Sequence, residues 1–192
     1  MSYLEDNLLP LILSIKTPKT DSYIMIAAGL GGKTSQSSIL IQVGNKLEEF
    51  WNGVISKCTK NLIEVNNKIK VGNSNRQLDH LFEGLENTYL LYLESKCNLN
   101  FDTEKKPASN TKVKEVTDAI VEKYQKPVLT AGYFVPCIRE VPEDVKKKYP
   151  NVNIYGVEWL LETLKCDLFT ADEFFTFFEQ VIGPILEEKM YA

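Results

Sequence analysis

The chain has 192 residues, of which 44% are apolar and 25% charged, with a formal net charge of −4. That length suits one domain, 1–192, with a sizeable core, and the composition excludes a disordered chain. The acidic balance excludes a protein that grips nucleic acid through an overall basic excess.

Residues 3–15 carry a helical apolar pattern, and Pro10 inside it is expected to break or kink the helix. The same N-terminus, "MSYLEDNLLPLILSIK", puts acids ahead of its apolar patch and lacks the basic leader of an export signal. No apolar run is long enough to span a bilayer, so the expectation is a cytoplasmic protein with no membrane partner. "AAGLGGKTSQSS" is rich in glycine, but a phosphate-binding P-loop needs glycine five residues before Gly32, where Ala27 stands. A plain connecting loop is expected there.

From Ser37 to Ser56, Ile39, Val43, Leu47, Phe50 and Val54 recur at three- and four-residue spacing and predict one helix face. "NLIEVNNKIKVG" reads as a strand ending in a turn at Gly72-Asn73. "RQLDHLFEG" and "NTYLLYLESK" read as two strands of a hairpin turning near residues 84–87. After a polar loop, "NTKVKEVTDAIVEKY" predicts a helix with Val113, Val116, Ile120 and Tyr124 on one stripe and Asn110 as its N-cap. "KPVLTAGYFVP" and "NVNIYGV" predict two further strands, the second running into the helical "VEWLLETL". "TADEFFTFFEQVIGPILEEKMY" opens with Thr170 and Glu173 at capping-box spacing, and its Phe174, Phe175, Phe177 and Phe178 predict a broad core-facing surface with room for a partner. Strands alternating with helices predict an α/β fold built on a mixed sheet flanked by helices.

The four cysteines, Cys58, Cys97, Cys137 and Cys166, include no CxxC pair, and His80 is the single histidine. A structural zinc site is therefore not expected, and the cysteines read as reduced thiols.

Chemistry concentrates in the hairpin. Side chains alternate along a strand, so Glu94 and Lys96 continue the row of Leu90 and Tyr92, and the hairpin brings Asp79 towards Glu94. Two carboxylates held close repel unless a cation lies between them, and hard oxygen ligands suit Mg²⁺, with water and substrate phosphate filling its other positions. An adjacent ammonium can orient the attacking water and stabilise charge on the phosphate. Those parts suffice to hydrolyse a phosphodiester.

Leu78-Asp79, fourteen intervening residues and Glu94-Ser95-Lys96, set in a strand-turn-strand context, resemble the PD-(D/E)XK nucleases, the family of most type II restriction endonucleases. Leu78 stands where the motif has proline, a position that varies in the family. The loop "CNLNFDTEKKPASNTKV" and the earlier "VGNKLEEFWNGVI" are also similar to segments of restriction endonucleases. The resemblance implies a restriction-endonuclease-like fold in which Asp79, Glu94 and the Ser95 backbone carbonyl bind Mg²⁺ and Lys96 acts on the nucleophilic water. It adds Glu48 as a possible helical acid near the metal, against the alternative of a solvated helix residue. Lys105, Lys106, Lys112 and Lys114 are candidates for contacts to DNA phosphates, an ordinary solvated face being the alternative. His80 follows Asp79 and points to the opposite face, as a packed histidine would.

The expected activity is Mg²⁺-dependent cleavage of double-stranded DNA. The net negative charge favours a cleavage subunit that works with a larger site-recognising subunit, as in heterodimeric type IIS enzymes, over an orthodox homodimer cutting a palindrome. A catalytically inactive, nuclease-like interaction subunit is the alternative of another class.

Overall fold

The structure, a computed structural model, describes residues 2–16, 33–63, 67–97, 106–149 and 153–191. Two compact units divide the chain, Met1–Phe50 with Leu168–Ala192 and Trp51–Asp167. It is a mixed α/β protein with two sheets, one of them mixed in strand direction. Among the described residues no helix is long and apolar enough to cross a membrane.

In the first unit, α1 (Tyr3–Leu13) starts from a capping box in which Ser2 and Glu5 satisfy each other's backbone N–H groups. The helix continues through Pro10 to Leu13, contrary to the break expected from sequence. The missing proline N–H costs one helical hydrogen bond, but Leu8 and Ile12, both fully buried, hold the helix on either side. The Lys189 ammonium donates to the Ile15 carbonyl at 2.8 Å and the Leu13 carbonyl at 3.3 Å, neutralising the helix C-terminus.

Helix α2 (Lys33–Cys58) begins earlier than its apolar stripe suggested, so part of the segment expected as loop is helical. Residues 27–32, where the P-loop comparison falls, lie outside the described residues. Ile39, Val43, Leu47, Phe50 and Val54 are all buried, as their spacing predicts.

The chain's last helical stretch runs from α6 (Ala171–Phe177) through a π-helical turn, Phe178–Ile182, to α7 (Gly183–Tyr191). Thr170 and Glu173 form the predicted capping box. The π turn has a local cause: Pro184 has no N–H to continue the ladder, and the Gly183 N–H reaches back to the Phe178 carbonyl instead. Phe174 is buried against Phe50 and Phe169, while Phe175, Phe177 and Phe178 are half-buried.

The second unit is built on a four-stranded sheet of β3 (His80–Glu83), β4 (Leu90–Ser95), β5 (Val128–Phe134) and β6 (Ile154–Tyr155), in that spatial order. β3 and β4 form the predicted antiparallel hairpin, while β4, β5 and β6 run parallel. Its turn is held by the Lys126 ammonium, which donates to Glu83 at 2.7 Å and to the Asn87 carbonyl at 2.9 Å. Lys126 thereby keeps the Glu83 carboxyl below its ordinary titration range.

Residues 74–83 do not make one strand: β1 (Lys68–Val71) and β2 (Ser74–Gln77) form a separate hairpin, turning at Gly72 with φ +58°. The chain leaves that hairpin at Leu78 and Asp79 before β3 starts. Helix α3 (Lys106–Tyr124) lays Val116 and Ile120 against Leu81, Leu90 and Tyr92, covering one face of the sheet. Asn110 lies inside this helix rather than at its cap, because the helix starts at Lys106, before the predicted cap. Trp51, late in α2, packs edge-on against Phe134 of β5. The short α4 (Glu143–Lys148) and α5 (Val157–Leu164) complete the unit.

Where β5 and β6 pair, Tyr133 N–H donates to the Asn153 carbonyl at 2.9 Å. A Cβ on Gly132 would drive into that same carbonyl oxygen. That oxygen is held in the strand pairing and the Asn153 Cβ lies beside it, so Gly132→Ala is expected to cost about 1–3 kcal/mol, read as a lower urea midpoint with an unchanged slope.

Candidate functional site

Asp79 is placed by two backbone departures. Leu78 turns away from β4, its N–H donating to the Asn67 carbonyl at 2.7 Å and its carbonyl accepting from Asn67 Nδ2 at 2.8 Å. With Leu78 diverted, the Asp79 carboxylate takes over on the β4 side, Oδ2 accepting from the Ser95 N–H at 2.8 Å. Asn52 of α2 fixes the same turn, its Nδ2 donating to the Asp79 carbonyl at 2.9 Å.

Glu94 follows four buried residues of β4 and is itself only 2% exposed. Its neighbour on the same strand face, Tyr92, donates its hydroxyl hydrogen bond to Oε1. The Lys112 ammonium of α3 lies 2.5 Å from Oε2. Both carboxylate oxygens are thus engaged, the arrangement a buried charge requires. Burial first, and then the Glu94 charge, push the Tyr92 hydroxyl well above its ordinary titration range.

Glu94 lies close enough to Asp79 for its charge to act on the Asp79 carboxyl. Burial, and next the Glu94 charge, raise the Asp79 carboxyl from 3.8 to about 6, against the opposing effects of the Ser95 N–H, Lys112 and Lys96. The structure therefore brings Asp79, Glu94, Ser95 and the exposed Lys96 to one end of β4. In extended backbone the N–H and C=O of one residue point to the same side. The Ser95 carbonyl thus faces the Asp79 side, since its N–H is the group on Asp79.

Other candidates are placed differently. Glu48 is half-buried on α2 in the first unit, whereas the two acids above belong to the second. Lys105 lies outside the described residues, and Lys106 opens α3. Lys112 faces inward onto Glu94, and Lys114 is exposed. His80 is fully buried, Nδ1 lying 3.0 Å from Asn52 Oδ1 and the ring edge-on to Phe134. Burial lowers its imidazole from 6.5 to about 3, so it stays neutral across the physiological range.

Asn52, Tyr92 and Lys112 are the working parts that sequence reasoning missed in these roles. Tyr92 carried a signal, being two residues before Glu94 on one strand face. Asn52 and Lys112 reach the hairpin from 27 and 18 residues away. Nothing local in the sequence marks such contacts.

The Lys112–Glu94 pair has one partner nearly buried and one with its side chain 36% exposed. Lys112→Met is therefore expected to cost about 1–3 kcal/mol, more than a surface pair and less than a fully buried one. Chemical denaturation of the metal-free protein checks it.

The donor set suits a hard divalent cation: two carboxylates and a backbone carbonyl, all oxygen, on one side of a strand end. Among the described residues no group of three or more His, Cys, Asp or Glu side chains is arranged to hold a metal ion. No protein-family model matches the chain, and comparison with curated proteins gives no match.

Proposed function

We propose that the chain is a Mg²⁺-dependent endonuclease that hydrolyses phosphodiester bonds of double-stranded DNA, with a PD-(D/E)XK site and a restriction-endonuclease-like fold. The observation that carries the reading is the meeting of Asp79, Glu94 and Lys96 at one end of the β3–β4 hairpin. A raised Asp79 carboxyl beside a second buried carboxylate is an electrostatic cost that a bound dication removes.

In this reading Asp79, Glu94 and the Ser95 carbonyl hold Mg²⁺, which supplies charge neutralisation on the scissile phosphate when bound. Asn52 and the Ser95 N–H fix Asp79 through its backbone carbonyl and its carboxylate Oδ2. Lys96, exposed at the strand end, orients the attacking water and offers its positive charge to the phosphate. Lys112 now neutralises the carboxylate that would hold the cation, so the two would compete for Glu94. The chain acts as a cleavage subunit beside a larger site-reading subunit, because an acidic protein holds the duplex weakly by itself.

One observation favours a second reading, an inactive nuclease-like interaction subunit: both Glu94 oxygens are already engaged by Tyr92 and Lys112. Calorimetric titration with Mn²⁺ and Mg²⁺ separates the two. The nuclease reading expects binding that Asp79→Asn abolishes, and a strand cut in plasmid DNA with Mg²⁺ once an extract of the source cell is added. No metal binding, or cleavage that survives a chelator, would reject it; palindrome-specific double-strand cutting by the isolated chain would replace the subunit arrangement with a homodimer.

A further inference from the structure

The four cysteines, far apart in sequence, meet as two thiol pairs within the second unit: Cys58 hydrogen-bonds to Cys166, and Cys97 to Cys137. All four are free thiols, the first pair half-buried and the second exposed. The backbone accounts for the exposed pair. β4 and β5 run side by side to the rung Ser95–Phe134, and the Lys96 N–H extends the ladder to the Phe134 carbonyl at 2.9 Å. Cys97 comes next on one chain, and Cys137 on the other lies in a turn closed by the Ile138 N–H on the Val135 carbonyl at 3.2 Å. The register past that rung and the contact between the two side chains set Cys97 and Cys137 facing each other, as a disulfide requires.

We propose that Cys97 and Cys137 form an oxidisable dithiol, a modification site that closes to an intramolecular disulfide on reaction with a hydroperoxide. One sulfur attacks an oxygen of hydrogen peroxide, the O–O bond breaks, and a sulfenic acid and one water result. The second sulfur then attacks the sulfenic sulfur; the S–S bond forms and the S–O bond breaks. The hydroxyl departs with the second thiol's proton as another water. The two thiols lose two electrons and two protons in all, and the peroxide takes them up.

The companion pair supplies an internal contrast. Cys58 and Cys166 are half-buried, so a hydroperoxide reaches them less readily than the exposed Cys97 and Cys137. Closure at Cys97 ties the chain immediately after Lys96 to the turn after β5. Any effect on DNA cleavage rests on the nuclease reading, but the closure itself does not.

The test treats the full chain with limiting hydrogen peroxide, alkylates the remaining thiols and maps peptides without reduction. The expected result is a monomer lighter by two hydrogens, one Cys97–Cys137 cross-link reversed by dithiothreitol, and Cys58 and Cys166 still alkylated. Cys97→Ser and Cys137→Ser, both at exposed positions, are each expected to remove the cross-link. Interchain dimers, sulfinic acid at Cys97 in the unsubstituted chain, or prior loss of Cys58 and Cys166 would overturn the proposal. Cleavage assayed before and after oxidation is a separate readout. A chain that never cuts DNA yet forms the cross-link defeats the nuclease reading alone.

Discussion

Glu94→Gln is expected to lower DNA cleavage by roughly 10²–10⁴-fold, the scale on which a positioned acid–base or charge-stabilising group acts, with the fold retained. Glutamine keeps an oxygen to accept from the buried Tyr92 hydroxyl, so the cost of an orphaned donor is avoided. What is lost is the negative charge that would face a dication. Lys112, partly exposed, can turn into solvent once its partner is neutral. Asp79→Ala and Lys96→Ala are expected to match the loss, because in the proposed site the three residues serve a single step and their effects do not add. A plasmid digest with Mg²⁺ and an extract of the source cell, beside circular dichroism of each variant, measures it. Near-normal cutting by a folded Glu94→Gln would remove the assignment of this site.

Asp79→Asn is expected to do the opposite to stability. The native carboxyl holds its proton to about pH 6, whereas the unfolded one releases it near 3.8. Between those values the native state binds more protons, so stability falls as pH rises through the interval and stays lowered above it. The difference corresponds to about 3 kcal/mol, and asparagine, uncharged and still able to accept from the Ser95 N–H, escapes it. His80 runs the other way: lowered from 6.5 to about 3, it makes stability fall as pH drops through that range. The two slopes oppose one another between about pH 4 and 6, and the unsubstituted chain should show a nearly flat profile there. The difference between variant and parent, measured by denaturant melts in chelator, should be near zero below pH 4 and reach its plateau above pH 6. A variant no more stable than its parent at pH 8 would contradict the cause assigned to the raised carboxyl.

Both effects fall on the same pair of acids, which shows how far the sequence could be read. The alternation along β4 and the hairpin symmetry about residues 84–87 depend only on local periodicity, and they bring Asp79 towards Glu94, whose charge reaches it. The apolar stripe of α2 and the capping box at Thr170 were legible for the same reason. What escaped was set by tertiary contact. Pro10 stays helical because its flanking leucine and isoleucine are buried, and Asn110 is passed over as a cap because the helix begins before the apolar stripe does. Lys112 was read as a candidate phosphate contact from its charge alone. Its engagement with Glu94 depends on how α3 crosses the sheet, which no local pattern encodes.

The burial of His80 has a spectroscopic consequence. Asn52 turns its amide nitrogen to the Asp79 carbonyl, so its oxygen is the atom facing the imidazole, and Nδ1 must carry the ring proton. Nε2, with no hydrogen-bond partner among the described residues, is left as the bare nitrogen. As the chain has a single histidine, one imidazole in a ¹⁵N spectrum reports this tautomer without assignment work. Its two nitrogens should stay far apart in chemical shift from neutral pH down to the onset of acid unfolding. Any variant or ligand that pulls Asn52 off the Asp79 turn would register there first, as the two signals move towards each other.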